Sequence, residues 1–129
     1  MTALFDSHCH VDEEKFDQDR DAVLQRMAVV GSDMATSAHG VAFAAEHPGC
    51  VAVVGIHPHE AKGFREADLQ HLADWYTSGQ AKAIGEIGLD YYYDFSPRQV
   101  QRCARRRSSW PIPWGRRRCS ISGMPTGIC

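Results

Sequence analysis

The segment Leu4–His10, Leu-Phe-Asp-Ser-His-Cys-His, joins a short apolar start to two histidines that are one residue apart. This pattern is typical of the end of a β-strand, where successive side chains alternate between the two faces. We therefore expect His8 and His10 on one face of the strand and Cys9 on the other. Two imidazoles on the same face can share a metal ion, so the segment predicts a strand that ends in a candidate metal site.

Three further strands are predicted along the chain. Ala28–Gly31 is short and apolar, and Val51–Ile56 is an almost unbroken apolar run, the pattern of a parallel strand that is covered on both faces. Lys82–Gly85 begins the fourth strand. With strand starts near residues 4, 28, 51 and 82 and a helix in each gap, the chain shows the rhythm of repeated β–α units. The predicted fold is α/β with a parallel sheet, and 129 residues hold about half of an eight-unit barrel, which needs about 250.

Four helices are expected between and after these strands. The first begins near Asp19 and continues without any turn into the strand at Ala28, which suggests the in-frame loss of a few residues. Ser32 or Asp33 can cap the second. The third spans Glu66 to Tyr76, and Ser96-Pro97 is expected to open the fourth. The apolar stripe predicted for the second helix consists of Met34, Ala38, Val41, Ala42 and Ala45.

Composition favours a globular protein, with 43% hydrophobic residues. No apolar run approaches the roughly 18–20 residues of a membrane span, and the N-terminal residues do not have the pattern of a signal peptide. The five cysteines are an odd number without C-x-x-C spacing, which indicates reduced thiols rather than a disulfide framework. We therefore expect a cytoplasmic protein that has no contact with a membrane.

The charge distribution divides the chain into two parts. Residues 1–94 carry all 16 acidic side chains and six basic ones, whereas residues 95–129 carry eight arginines and no acid. The β–α pattern also stops near Arg102. We predict a (β/α)4 portion over residues 1–101 and an arginine-rich tail over 102–129 that is disordered or the product of a frameshift. An alternative for the tail is a nucleic-acid-binding segment in which Trp110 and Trp114 stack on bases.

Polar side chains follow three of the predicted strands. His8 and His10 end the first, His57 follows the third, and Glu86 ends the fourth. The carboxyl ends of parallel barrel strands open onto one mouth, so these side chains are expected to converge there. Imidazoles and a carboxylate suit zinc, manganese or another divalent ion, and a carboxylate can bridge two ions at about 3.5–4 Å. Hydrolysis is the reaction that such a site favours.

Alternative roles are open for several of these residues. An isolated pair of histidines is often a surface feature, His57 before a proline can shape a turn, and Asp90 can cap its loop. The tyrosines at positions 91–93 are expected to form a wall rather than to act in catalysis.

Three motifs together resemble the TatD family of metal-dependent hydrolases, which includes deoxyribonucleases. They are Asp-Ser-His-Cys-His at 6–10, Gly-Ile-His-Pro-His at 55–59 and Gly-Glu-Ile-Gly-Leu-Asp-Tyr-Tyr at 85–92. The resemblance covers about residues 1–101. It implies a TIM barrel that binds divalent metal, most often magnesium, and cleaves phosphodiester bonds in DNA. It also implies that His8 and His10 bind the first ion and Glu86 bridges to a second, with His57 and Asp90 near the substrate as further candidate catalytic residues.

The resemblance also implies ligands that this chain does not supply. The family continues with an Ile-His-Ser-Arg-like strand, a further histidine and a Thr-Asp motif, but this sequence has no histidine after His71 and no acid after Asp94. We therefore expect impaired activity. An inactive metal-binding fragment is the first alternative function, and a related phosphatase or amidohydrolase is the second. The open edge of half a barrel predicts self-association.

Overall fold

Five parallel strands form one sheet in the order β1-β2-β3-β4-β5. The computed structural model describes residues 6–11, 13–18, 27–108 and 118–120. The strands are β1 (Asp6–Cys9), β2 (Met27–Val30), β3 (Cys50–Val54), β4 (Ala81–Ile87) and β5 (Arg118–Ser120). The helices are α1 (Met34–Glu46), α2 (Glu66–Thr77) and α3 (Arg98–Ser108), with short 3-10 helices at Glu14–Phe16 and Pro58–Gly63.

The alternation of strands and helices confirms the predicted α/β architecture. Strands β3 and β4, which are preceded by described residues, begin at 50 and 81, each one residue before the predicted start. The helix expected from Asp19, and with it the proposed loss of residues before Ala28, lies outside the described residues.

The sheet is covered by apolar side chains on both faces. Helices α1 and α2 pack on one face, where Val41 of α1 and Leu72 of α2 join Val54 and Ile84 in a buried cluster. The opposite face carries a smaller cluster that contains no helix residue in the part of the chain that is described; it consists of Ala28, Val30 and Val53, with Val51 and Ala83 beside it. This double coverage explains why β2 and β3 are uninterrupted apolar runs rather than alternating ones.

Helix α1 begins as predicted but turns a different face to the sheet. The Asp33 carboxylate accepts from the Thr36 backbone N–H at 2.7 Å, and Thr36 Oγ1 accepts from the Asp33 N–H at 3.0 Å, so Asp33 is the N-cap. The predicted apolar stripe is wrong at three positions, which are exposed: Ala38, Ala42 and Ala45. The residues that are buried instead are Ser37, Gly40, Val41 and Phe43.

A close contact between α1 and the backbone of Gly55 determines which face of α1 is buried. Ser37 is completely buried, and its hydroxyl donates to the Gly55 carbonyl and accepts from the Gly55 N–H, at 3.3 and 3.1 Å. A satisfied polar group can be buried at little cost, whereas a single alanine methyl gains little from burial. Alanine periodicity alone therefore did not predict the orientation.

The segment after residue 101 has more regular structure than its composition predicted. Helix α3 continues past Arg102 to Ser108, and β5 pairs with β4 at Ile84↔Arg118 and Ile87↔Ser120. The last predicted strand, β4, is therefore not an edge strand of the described sheet. Residues 109–117 and 121–129, which include Trp110 and Trp114, lie outside the described residues, so disorder or a frameshift stays a prediction.

Two predictions from composition bear on the whole chain. Across the described residues, no helix combines the length and the apolar character needed to cross a membrane; the cytoplasmic location stays a prediction. Cys50 and Cys103 are thiols that form no disulfide; the reduced state of all five cysteines stays a prediction.

Candidate active site

His8 and Glu86 meet on the concave side of the sheet. Their strands, β1 and β4, are three positions apart, which is about 14 Å in a flat sheet at about 4.8 Å per strand. His8 Nε2 nevertheless lies 3.6 Å from Glu86 Oε1. The sheet must therefore curl as a barrel wall does, with both side chains directed inward.

Glu86 has a surrounding that is unusual for a carboxylate. The residue is only 4% exposed, and the described part of the chain offers its side chain no hydrogen bond. The one basic side chain that it contacts there is His8, which is 39% exposed and would form an ion pair with Glu86 only in the protonated state. Burial of a charge without hydrogen bonds is costly. The described residues therefore leave this carboxylate without the groups that normally stabilise a buried charge.

His10 lies beside His8, as the alternation of side chains predicted. The two rings are 5.3 Å apart between centroids, and the Cys9 thiol turns the other way and donates to the Ala28 carbonyl at 3.2 Å. His8, His10 and Glu86 share one mouth, and their donor types fit a divalent ion. They do not close around a common point: within residues 6–11, 13–18, 27–108 and 118–120, no three histidine, cysteine or acidic side chains stand in the arrangement of a metal site.

A second polar group lies at the ends of β3 and β4. His59 Nε2 donates to Asp90 Oδ2 at 2.5 Å, and the His59 backbone N–H donates to His57 Nδ1 at 3.2 Å. Because His57 Nδ1 accepts this bond, neutral His57 carries its ring proton on Nε2. His59 was not predicted as a site residue; its place in the Gly55–His59 motif was the signal that could have indicated it.

The two groups are coupled electrostatically. Burial is the main cause that lowers the pKa of His57, and the Glu86 carboxylate acts against it and raises that pKa. The net direction is down, so His57 is neutral at pH 7. The hydrogen bond from His59 is the main cause that lowers the pKa of Asp90, which is therefore ionised.

Helix α3 holds the loop that carries Asp90. Gln101 is fully buried, and its amide donates to the Asp90 and Ser96 carbonyls while its oxygen accepts from the Asp90 N–H, at 2.7–2.9 Å. Ser96, also fully buried, donates to the His59 carbonyl at 2.6 Å and accepts from the Lys62 N–H at 3.1 Å. Sequence reasoning placed Ser96 as a helix cap and missed Gln101. Both are positioning residues: Gln101 fixes the loop after β4, and Ser96 joins that loop to the segment after β3.

Replacement of Gln101 by methionine tests this role. Methionine fits a similar volume but leaves two carbonyls and one N–H without their bonds, and each unpaired group costs about 1–3 kcal/mol. We expect the free energy of unfolding to fall by about 3 kcal/mol in urea denaturation. Gln70→Met, on the exposed side of α2, is the matched control and should change stability by less than about 0.5 kcal/mol. Equal effects of the two replacements would contradict the assigned role.

Comparisons with known proteins place this geometry in a family. The sequence model of TatD related DNase matches residues 5–107. The chain belongs to the TatD related DNase family. The match extends six residues past residue 101, and the boundary of the (β/α)4 portion stays a prediction.

Curated relatives and a solved structure agree with the assignment. YabD of Bacillus subtilis strain 168, named an uncharacterized metal-dependent hydrolase, is 34% identical over 77% of this chain and 42% of its own length. The 3'-5' ssDNA/RNA exonuclease TatD of Cronobacter sakazakii is 32% identical over 72% and 38%. The chain thus spans about two fifths of these TatD relatives.

The fold agrees as well. The crystal structure of YjjV, a TatD homologue from Escherichia coli K12, superposes with a TM-score of 0.69 at 25% identity. The superposition covers 81% of this chain and 44% of YjjV. The prediction of about half of a TatD-type barrel is therefore confirmed.

Proposed function

We propose that this chain carries part of the active site of a metal-dependent hydrolase that cleaves phosphodiester bonds of DNA. The observation that carries the proposal is the Glu86 carboxylate, which is buried at the barrel mouth, 3.6 Å from His8 and without a hydrogen bond from the described residues. A bound cation would supply the positive charge that this carboxylate lacks. The relatives YabD, named a metal-dependent hydrolase, and TatD of Cronobacter sakazakii, named an exonuclease, support the same reaction class.

His8, His10 and Glu86 are the residues that would hold the metal. We propose Mg²⁺ as the ion, with Mn²⁺ or Zn²⁺ as alternatives, and a second ion that shares the Glu86 carboxylate. Such ions would supply Lewis-acid charge beside the scissile phosphate. Their donor set of two imidazoles and one carboxylate is chemically suitable, although the side chains would have to move closer together around an ion.

His57 and Asp90 have separate roles in this proposal. Neutral His57 presents its Nε2–H as a donor, which suits a phosphate oxygen better than a metal ion. Asp90 fixes His59, which in turn orients His57 through its backbone N–H. Of the predicted catalytic residues, His57 is therefore assigned to contact substrate, and Asp90 acts through other residues.

We further propose that activity is low in this chain. The 129 residues contain no histidine after His71 and no acidic side chain after Asp94. A second ion that shares Glu86 would therefore receive no imidazole and no side-chain carboxylate from residues 95–129. Weak metal binding with slow cleavage is the expected behaviour.

Isothermal titration calorimetry with Mn²⁺ or Mg²⁺, combined with a DNA cleavage assay, tests the proposal. We expect His8→Ala to weaken metal binding by at least about tenfold and to reduce cleavage in parallel. His71→Ala, which removes an exposed histidine on α2, is the matched control and should leave both unchanged. Metal binding without any cleavage would support the inactive-fragment alternative. Hydrolysis of a phosphomonoester but not of DNA would favour a phosphatase, and no metal binding would overturn the proposal.

Self-association through the open edges of the sheet is also proposed. The strands at the edges of the described sheet are β1 and β5, and residues 6–8 of β1 are exposed. An unpaired strand edge can pair with a second chain. We expect sedimentation velocity to show association that increases with protein concentration; a monodisperse monomer that melts cooperatively would contradict this.

A further inference from the structure

Three large aromatic side chains are exposed beside the candidate active site. Tyr92, Tyr93 and Phe95, here called the aromatic patch, are 68%, 59% and 57% exposed. Burial of such rings is normally favourable, and isolated exposed rings need no explanation. Three of them within four residues form a contiguous apolar surface, which is typical of an interaction site.

The patch is ordered by its own contacts. The Tyr93 and Phe95 rings are stacked, 5.5 Å apart with an interplanar angle of 20°, and Tyr92 meets Tyr93 edge-on at 4.7 Å. The backbone N–H groups of Tyr92 and Tyr93 both donate to Asp90 Oδ1, at 2.9 and 3.2 Å. The rings are therefore held in a defined arrangement although they face solvent.

The patch is continuous with the candidate active site. The His59 ring lies 4.8 Å from Phe95 and 5.8 Å from Tyr93, both edge-to-face. The Asp90 carboxylate holds His59 with one oxygen and the backbone of the patch with the other. A ligand that stacks on these rings would lie next to His57 and His59.

The side of the patch formed by helix α3 is positively charged. Helix α3 contains five arginines and no acid, and the described side chains of Arg98, Arg102 and Arg105 are exposed. The nearest acid in sequence, Asp94, is already paired with Arg98 at 3.1 Å. The guanidinium groups of Arg98 and Arg102 lie 4.8 and 5.7 Å from the Tyr91 ring centroid, which joins the charged helix to the aromatic loop.

We propose that the aromatic patch is a stacking subsite for the bases of single-stranded DNA, with the arginines of α3 on its phosphates. This inference rests on the proposed function, since it names the surface that would hold the DNA strand beside the candidate active site. Exposed aromatic rings beside basic side chains are the combination that binds single strands without sequence preference. Duplex DNA keeps its bases stacked inside, so the subsite discriminates against it.

Binding is measured without cleavage to keep the two proposals separate. The probe is a short fluorescein-labelled oligothymidylate, followed by anisotropy in EDTA with the full chain. We expect the triple variant Tyr92→Leu, Tyr93→Leu, Phe95→Leu to bind at least about tenfold more weakly. The matched control, Tyr92→Phe with Tyr93→Phe, keeps the rings and should bind as the unmodified chain does.

Salt dependence separates stacking from charge. The leucine variant should keep the slope of log K against log salt, whereas Arg105→Gln should reduce that slope by about 0.7 if it loses one phosphate contact. An abasic oligomer of the same length should bind the unmodified chain and the leucine variant equally. Circular dichroism melting verifies that each variant is folded.

The outcomes are distinct. Equal binding of oligothymidylate by the leucine variant, or no binding by the unmodified chain, overturns the subsite. Loss of preference for single over double strands in the leucine variant supports it. Tyrosine-dependent binding together with an absence of metal-dependent cleavage would support the subsite and overturn the proposed reaction.

Discussion

Replacement of Gly55 by alanine is expected to destabilise the protein by about 3 kcal/mol or more. A Cβ at this position would lie 2.3 Å from the Gly85 carbonyl oxygen, 2.4 Å from the Gly85 carbonyl carbon and 2.9 Å from the Glu86 nitrogen. These atoms are backbone atoms of β4, so no flexible side chain can move aside. Strands β3 and β4 would have to separate at the point where β4 delivers Glu86, a form of overpacking that costs about 1–3 kcal/mol and occasionally more.

Urea denaturation of both alanine variants measures the effect. The control is Gly63→Ala, because a Cβ there meets nothing within 4 Å. We expect its unfolding midpoint to stay within error of the unmodified chain, while that of Gly55→Ala falls sharply. If Gly55→Ala retains both full stability and metal binding, the close approach of β3 to β4 is not required by the site.

Glu86→Gln is expected to have the largest effect on activity. The amide keeps the volume of the side chain but removes the negative charge that the proposed ion requires. Metal affinity should fall by more than the roughly 10–100-fold that outer-shell partners are worth. Cleavage should fall by about a thousandfold, since the metal supplies several kcal/mol of transition-state stabilisation.

The stability of the same variant should hardly change. Glu86 is buried without a hydrogen bond from the described residues, so the loss of its charge relieves a desolvation cost that offsets the lost contact with His8. We expect the free energy of unfolding to stay within about 1 kcal/mol, or to increase. Glu46→Gln, an exposed change of the same charge at the end of α1, should leave both metal binding and cleavage unaffected.

The pKa of His57 gives an independent readout in the metal-free protein. The Glu86 charge raises this pKa against the larger lowering effect of burial. Loss of the charge in Glu86→Gln should therefore lower the His57 pKa further in an NMR titration of the ring protons. An unchanged pKa would show that the two side chains do not interact across the mouth.

Several features of the fold were predictable because they depend on local pattern. Apolar runs located the starts of β3 and β4 to within one residue, and the capping pattern identified Asp33 as an N-cap. The H-x-H spacing predicted that His8 and His10 share a face, which the ring contact agrees with. Their role as metal ligands, like the roles of His57, Glu86 and Asp90, stays a prediction.

The features that were missed depend on contacts between distant segments. The orientation of α1 follows from Ser37 meeting Gly55, which are 18 residues apart. The clamp of Gln101 on Asp90 and the bond from His59 to Asp90 join residues 11 and 31 positions apart. Propensity and periodicity describe neighbours along the chain, so they carry little information on such pairs.

The sequence by itself determined the family, the order of the described strands and helices from β2 to α3, and which side chains stand at strand ends. Only the tertiary structure decided that the sheet curves until His8 on β1 and Glu86 on β4 lie 3.6 Å apart. It also decided that His59 and Asp90 connect the candidate site to the aromatic patch. The physical reason is that strand identity is encoded in local side-chain pattern, whereas curvature and loop contacts arise from packing across the whole sheet.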